Sequence, residues 1–226
     1  ELAQFESGGL DEEEIQKKIS LLESKMTKQA EKLHFIREQV AHKLEGQIKQ
    51  ELADLYMEKA RFAINFDQTK TFTPKGTDEI AFLIAPNPGE DLMPLVKIVS
   101  GGEQSRLILA LKAIFSRVEP VGTMIFDEID TGVSGRVSAA IGQKMHSIGQ
   151  DKQVITITHS PQVAAAGDQR YLVAKEVKGG ATFTQVKPLA QDETVTAIAQ
   201  MMAGSNITTA AKQNAIDLIN SFNKRT

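Results

Sequence analysis

One seam of apolar residues constrains this chain more than any other feature. Ile15, Ile19, Leu22, Met26, Leu33, Ile36 and Val40 follow in alternating steps of four and three, with Gln29 in the one polar position. That is the heptad spacing of a coiled coil, in which the seam faces a partner helix. Beyond Val40 the steps change. Leu44, Ile48 and Leu52 come in fours before Leu55, the stutter at which a supercoil relaxes. The spacing predicts a helix from about Asp11 to Ala60, opened by the acidic run Asp11-Glu12-Glu13-Glu14 at the positive end of its dipole. Ser7-Gly8-Gly9 reads as a break ahead of it. A helix so long and so striped is a coiled-coil arm, with one long helix of a bundle as the plainer alternative.

The period then switches from helical to two. Phe62, Ile64 and Phe66 alternate with polar or small neighbours, Pro74-Lys75-Gly76 makes a turn, and Glu79 to Ala85 returns. The pair predicts a β-hairpin at the root of the arm. From Val96 onward the pattern is α/β. It comprises a helix from Gly101-Gly102 to about Arg117, an apolar strand over 121–126, a helix over 134–148 and a second apolar strand over 153–158. A hairpin around Gly179-Gly180 and two closing helices, about 193–203 and 208–223, complete the chain. Apolar runs of this kind are the mark of strands buried in a parallel sheet.

Three patterns at the ends of these elements carry chemistry. The first is Ser100-Gly101-Gly102-Glu103. Two glycines allow close approach of a ligand, and the helix that follows aims free N–H groups and a positive dipole end at it, which suits a phosphate. An ordinary serine N-cap reads the same way. The second is the strand ending Asp127-Glu128. Ligands of open α/β sheets bind beyond the carboxyl ends of strands. Two acids there suit a nucleotide-hydrolysing site, one holding Mg²⁺ and the other polarising water, and their alternation along a strand would give them different roles. A solvated strand end is the alternative. The third is Thr158-His159-Ser160-Pro161-Gln162, where an imidazole just past a strand has the donor to meet a phosphate oxygen, or else is structural. Between the last two lies the turn Asp130-Thr131-Gly132-Val133-Ser134-Gly135.

The order of these patterns, more than any one of them, resembles that of ATP-binding-cassette ATPases. Ser100–Glu103 resembles their signature motif, Phe126-Asp127-Glu128 their Walker B, Asp130 their D-loop and His159 their switch histidine. An arm directly before such a lobe resembles the SMC-like branch. The stretches from Val99 to Gly135 and from Thr158 to Ala164 resemble the RecN family within it, bacterial proteins of DNA double-strand-break repair and recombination. The resemblance implies a fold class: α/β, with residues 1–60 as the returning coiled-coil arm and 61–226 as the carboxyl-terminal lobe of an ATPase head. It implies ATP and Mg²⁺ as cofactors, with Glu128 as the general base or water-orienting group and Asp127 toward the metal. It places Ser100, Gly101, Gly102, Glu103, Asp130 and His159 against nucleotide. It also implies a homodimer of heads sandwiching ATP, and DNA as a partner.

No Gly-x-x-x-x-Gly-Lys-[Ser/Thr] occurs in the chain. The phosphate loop is therefore expected outside this chain; the resemblance implies that it lies in an amino-terminal lobe of the same protein, and the chain alone is expected to be inactive. Its start at Glu1 rather than Met agrees with a segment of a longer protein. The net charge of −3 argues against a chain basic throughout but leaves local DNA contacts open. With no cysteine there is neither disulfide framework nor thiolate chemistry. No apolar run reaches the roughly 18 residues of a membrane helix, so a cytoplasmic, nucleoid-associated location and no membrane partner are expected. Two other readings stand beside this one, another SMC-like head half and a non-catalytic coiled-coil module for dimerisation or DNA tethering.

Overall fold

The computed structural model describes residues 2–97 and 101–223. Packing divides the chain into two units, Glu1–Gln47 with Arg61–Lys97, and Ile48–Ala60 with Ile98–Thr226. This groups the residues differently from a boundary at 60/61, because the hairpin buries its face on the arm helix.

In the first unit, α1 (Leu2–Asp54) is one uninterrupted helix that runs through Ser7-Gly8-Gly9. A glycine inside a helix costs only about 1 kcal/mol against alanine, too little to break so long a run. Its heptad seam is open to solvent except at Leu33, which lies where the seam meets the packed face: Ile15, Ile19, Leu22, Met26, Ile36 and Val40 are all exposed, and none finds a partner helix among the described residues of this unit. A second face does the packing. Ala30 and Ala41 are buried, and Leu33, His34 and Arg37 are half-buried. Against this face lies the antiparallel hairpin β1 (Arg61–Thr73) and β2 (Gly76–Ala85), paired from Arg61↔Ala85 to Gln68↔Asp78 and again at Thr73↔Gly76. A two-residue strand, β3 (Met93–Pro94), adds to β2. The predicted period holds from Ile64 onward, with Ile64 and Phe66 half-buried and Asn65 and Asp67 exposed, whereas Phe62 and its neighbour Ala63 are both half-buried.

Polar contacts fix the hairpin on the helix. The Asp78 side chain is 1% exposed and accepts from Arg37 Nη1 at 2.7 Å, with His34 Nδ1 at 2.8 Å. Arg37 also donates to the Lys75 carbonyl, and the His34 ring meets Phe66 edge-on at 5.7 Å. Lower on the helix, Glu45 accepts the backbone N–H of Ile64 at 2.8 Å. At the turn, Gly76 has φ +88° and a Cβ there would stand 3.0 Å from a Leu33 methyl, so both backbone and space call for glycine.

The second unit begins with the end of α1. The helix stops at Asp54, six residues short of the predicted Ala60, because Tyr56 adopts φ +60°. Met57 N–H bonds the Leu52 carbonyl at 2.8 Å and Tyr56 N–H that of Ala53 at 3.0 Å. These bonds make a Schellman cap, with Leu52 and Met57 buried as its apolar pair. The elements that follow are α2 (Gly101–Phe115), β4 (Thr123–Asp127), α3 (Arg136–Gly149), β5 (Gln153–Ile157), α4 (Pro161–Ala166), the hairpin β6 (Tyr171–Lys178) and β7 (Ala181–Pro188), α5 (Gln191–Ala203) and α6 (Thr209–Asn223). Helices α4, α5 and α6 close a core of Ala165, Ala166, Ile198, Ala199, Ala211, Ala215 and Phe222. Lys144 on α3 pairs with Glu51 at 2.7 Å and Asp54 at 2.9 Å. Burial pushes the Lys144 ammonium down, but both carboxylates outweigh it and hold it above the usual lysine range. Among the described residues no helix is long and apolar enough to cross a membrane.

Two predictions follow from this packing. Burial pushes Asp78 up, yet the hydrogen bonds from Arg37 and His34 prevail and hold it below the usual carboxylate range. A depressed folded pKa contributes stability above the unfolded value of about 3.9, which is lost as pH falls through the folded value. Amide exchange in β1 and β2 should therefore quicken as acid is added below about pH 4, whereas Asp78→Asn should lose the docking already at neutral pH and show no further acid step from this site. Gly142 on α3 faces α4 so closely that a Cβ would lie 3.0 Å from Ala166 Cβ and 3.1 Å from the Gln162 carbonyl. Gly142→Ala should cost about 1–3 kcal/mol by overpacking, measured as a lowered melting temperature.

Candidate active site

The site is built on two parallel strands. Strands β4 and β5 pair in register from Thr123↔Gln153 to Asp127↔Ile157, with α3 as the crossover. Their amino ends are pinned. Gln153 N–H bonds the Gly122 carbonyl, the Thr123 hydroxyl bonds Gln153 Oε1, and Lys152 Nζ donates to the carbonyls of Glu119 and Val121. With that register, the residues that follow each strand emerge side by side at the carboxyl edge, about one strand spacing apart. Asp127 and Glu128 leave β4 there, and Thr158 and His159 leave β5. Asp127, Glu128 and His159 are exposed.

The acidic pair does not alternate as two strand residues would. The strand ends at Asp127, and Glu128 has φ +47°, the left-handed region that a non-glycine residue rarely occupies. Its N–H still completes the ladder to the Ile157 carbonyl at 3.0 Å, and its carbonyl accepts from Thr131 N–H at 3.0 Å. The chain thus turns sharply on Glu128 itself. A left-handed non-glycine residue costs about 1–2 kcal/mol, and such strain gathers at functional sites.

Asp130 lies inward. It is fully buried, where the sequence reading has it against nucleotide; its Oδ2 accepts the Thr158 hydroxyl, and its Oδ1 has no donor among the described residues. Thr158 Oγ1 in turn accepts Ser160 N–H at 2.9 Å, and Ser160 donates to Gln162 Oε1 at 2.9 Å. The loop carrying His159 is therefore tied to the turn after Glu128. The start of α2 touches that same turn: a Cβ on Gly102 would lie 3.5 Å from Val133 Cγ1, 3.6 Å from the Thr131 carbonyl and 3.7 Å from that of Gly132. Gly101 is exposed, Gly102 and Glu103 half-buried, and Ser100 lies outside the described residues. The acidic pair, the histidine and the glycine-led helix start thus belong to one continuous region of the second unit.

Sequence reasoning missed three residues here. Arg106 donates to the Gly102 carbonyl at 3.2 Å and to the carbonyls of Leu55 and Tyr56 at 3.2 and 3.4 Å, joining the first turn of α2 to the capped end of α1. Tyr56 sets that cap and stacks under Arg136 at 5.7 Å. Thr158 closes the loop tie. Thr158 stands in the third pattern, but nothing there singles out its hydroxyl, and Arg106 and Tyr56 act through backbone carbonyls, a left-handed φ and a ring contact that no sequence pattern shows.

The site is open rather than enclosed. A groove of about 450 Å³ between the base of β6–β7 and helices α5 and α6 is lined by none of its residues. The strand pair is buried on one face only, through Met124 and Phe126, while Ile125, Ile155 and Ile157 are 67%, 44% and 50% exposed. The sequence reading expects strands buried on both faces. Among the described residues no three His, Cys, Asp or Glu side chains gather as a metal cage.

The fold is similar to part of solved Smc head domains. The Smc head with coiled coil and joint from Pyrococcus yayanosii matches with a TM-score of 0.56 at 18% identity, over 74% of this chain and 30% of that one. The Smc head with extended coiled coil from Pyrococcus furiosus matches with a TM-score of 0.53 at 17% identity, over 74% of this chain and 39% of that one. Sequence narrows the class. DNA repair protein RecN of Bacillus subtilis is 40% identical over 97% of this chain and 41% of its own length. RecN of Halalkalibacterium halodurans is 45% identical over 81% of this chain and 33% of its own, and that of Vibrio cholerae 36% identical over 97% and 40%. No family model matches. The chain belongs to the RecN family and spans about a third to two fifths of the length of these relatives.

Strain at Glu128 is open to direct measurement. Glu128→Gly removes the left-handed penalty but adds freedom to the unfolded chain, so stability should hold or rise by up to about 1 kcal/mol. A thermal melt checks this, and a marked fall in melting temperature would show that the turn is held by the side chain instead.

Proposed function

We propose that this chain is the returning arm and carboxyl-terminal head lobe of a RecN-type ATPase that acts in DNA repair. One observation carries the reading: in a RecN-family sequence, the strand end bearing Asp127-Glu128, the loop bearing His159 and the start of α2 form one linked region. The open face of β4–β5 supports a missing amino-terminal lobe, since parallel sheets are normally covered on both faces. The exposed seam of α1 supports an outgoing arm helix in the same way. The absent phosphate loop belongs to that lobe.

When bound, ATP and Mg²⁺ supply the scissile phosphate bond and the charge that activates it. Glu128 would orient the attacking water and take its proton, and Asp127 would help hold Mg²⁺. His159 donates to a terminal phosphate oxygen. Gly101, Gly102 and Glu103 at the start of α2, with Ser100 before them in the sequence, would face the nucleotide of a second head, so that the dimer closes on ATP. Catalysis of this kind is positioning and charge stabilisation. The arms, on this reading, carry closure of the heads to DNA, and the protein works in the cytoplasm at the nucleoid.

Glu128→Gln in the full-length protein should slow ATP turnover on the order of 10²-fold or more while ATP binding and ATP-dependent dimerisation persist. Turnover at the unsubstituted rate would remove Glu128 from the chemistry.

A further inference from the structure

We infer that Thr158 is a positioning residue for the ATPase site, acting through Asp130. Its hydroxyl donates to the buried Asp130 carboxyl and accepts Ser160 N–H, so that a single oxygen ties the turn after Glu128 to the loop that presents His159. The inference deepens the proposed function and rests on it.

The geometry leaves little slack. Asp130 is fully buried, and of its two oxygens only Oδ2 has a donor among the described residues, the Thr158 hydroxyl. A buried polar group stripped of its partner must move to reach water or rearrange its surroundings. Losing the Thr158 hydroxyl therefore costs more than one hydrogen bond. It releases the turn from Asp130 to Gly135, on whose Thr131–Val133 segment Gly102 rests. It also releases Ser160 N–H, the first residue after His159. The parallel ladder fixes the strand ends but stops at the Glu128 N–H bond to the Ile157 carbonyl. Beyond that bond, the Thr158–Asp130 contact is the cross-link that sets the separation of the Glu128 and His159 backbones. Thr158 itself touches no reacting atom on this reading; it sets where Glu128 and His159 stand.

The test compares Thr158→Val, nearly isosteric but without the hydroxyl, with Thr158→Ser, which keeps it, both in the full-length protein carrying this sequence. Amide exchange at 131–135 and 160–162 should quicken in Thr158→Val and return to the unsubstituted rate in Thr158→Ser. ATP turnover should follow the same pattern. In Thr158→Val the kcat should fall by about 10-fold to 10²-fold with KM for ATP changing far less, because on the proposed reading the phosphate loop of the other lobe makes most of the phosphate contacts and His159 only one. Unchanged exchange and kcat in Thr158→Val would overturn the inference. So would failure of Thr158→Ser to restore them, which would place the effect in packing of the methyl group, and so would a rise in KM with kcat unchanged. If the unsubstituted protein turned over no ATP, the ATPase reading itself would fall, and the exchange pattern would still decide whether Thr158 makes the tie.

Discussion

The second unit depends on one parallel pairing. Adjacent parallel strands need a crossover, and α3 supplies it between β4 and β5. The pairing forces the residues after both strands to the same edge. Every candidate group except the α2 start arrives there for that reason alone, before any side-chain contact is counted. Pinning by Lys152 and Gln153 at the opposite end sets the register. A slip by one residue would exchange the buried and exposed faces of the strand. It would put Met124 and Phe126 into solvent and bring Asp127 inward.

Much of this was legible in the sequence. Apolar runs gave β4 and β5 within two residues, and the glycine pair gave the start of α2. The first hairpin stood out by the period of two in its leading strand, and the second by the Gly179-Gly180 pair between two strand-like runs. What escaped has a physical explanation in each case. The end of α1 was misplaced because its left-handed cap is Tyr56, and only glycine or asparagine in that role is visible in a sequence. The docking face of α1 escaped because alanines and a His–Arg pair build it, and those residue types read as solvated surface until Asp78 is seen between them. α4 is too short for a helical period to show.

The candidate site was legible as residue types but not as roles. Asp127, Glu128 and His159 were named, and all three are exposed at one strand edge. The argument that neighbouring acids alternate did not hold, because the strand stops between them. Asp130 was placed against a ligand by its motif, yet its carboxyl group is folded into the protein and held by Thr158. A motif specifies which residues recur together. It does not say which of them face outward, and here the buried member organises the exposed ones.

The uncovered face of β4–β5 also bears on how such a protein is made. Ile125, Ile155 and Ile157 display apolar surface beside unpaired strand edges until something covers them. Exposed surface of that kind is what chaperones retain and proteases find. If another stretch of polypeptide completes this half-sheet, as proposed, the sheet carries its own mark of incompleteness until then, and quality control and head formation would draw on the same three isoleucines.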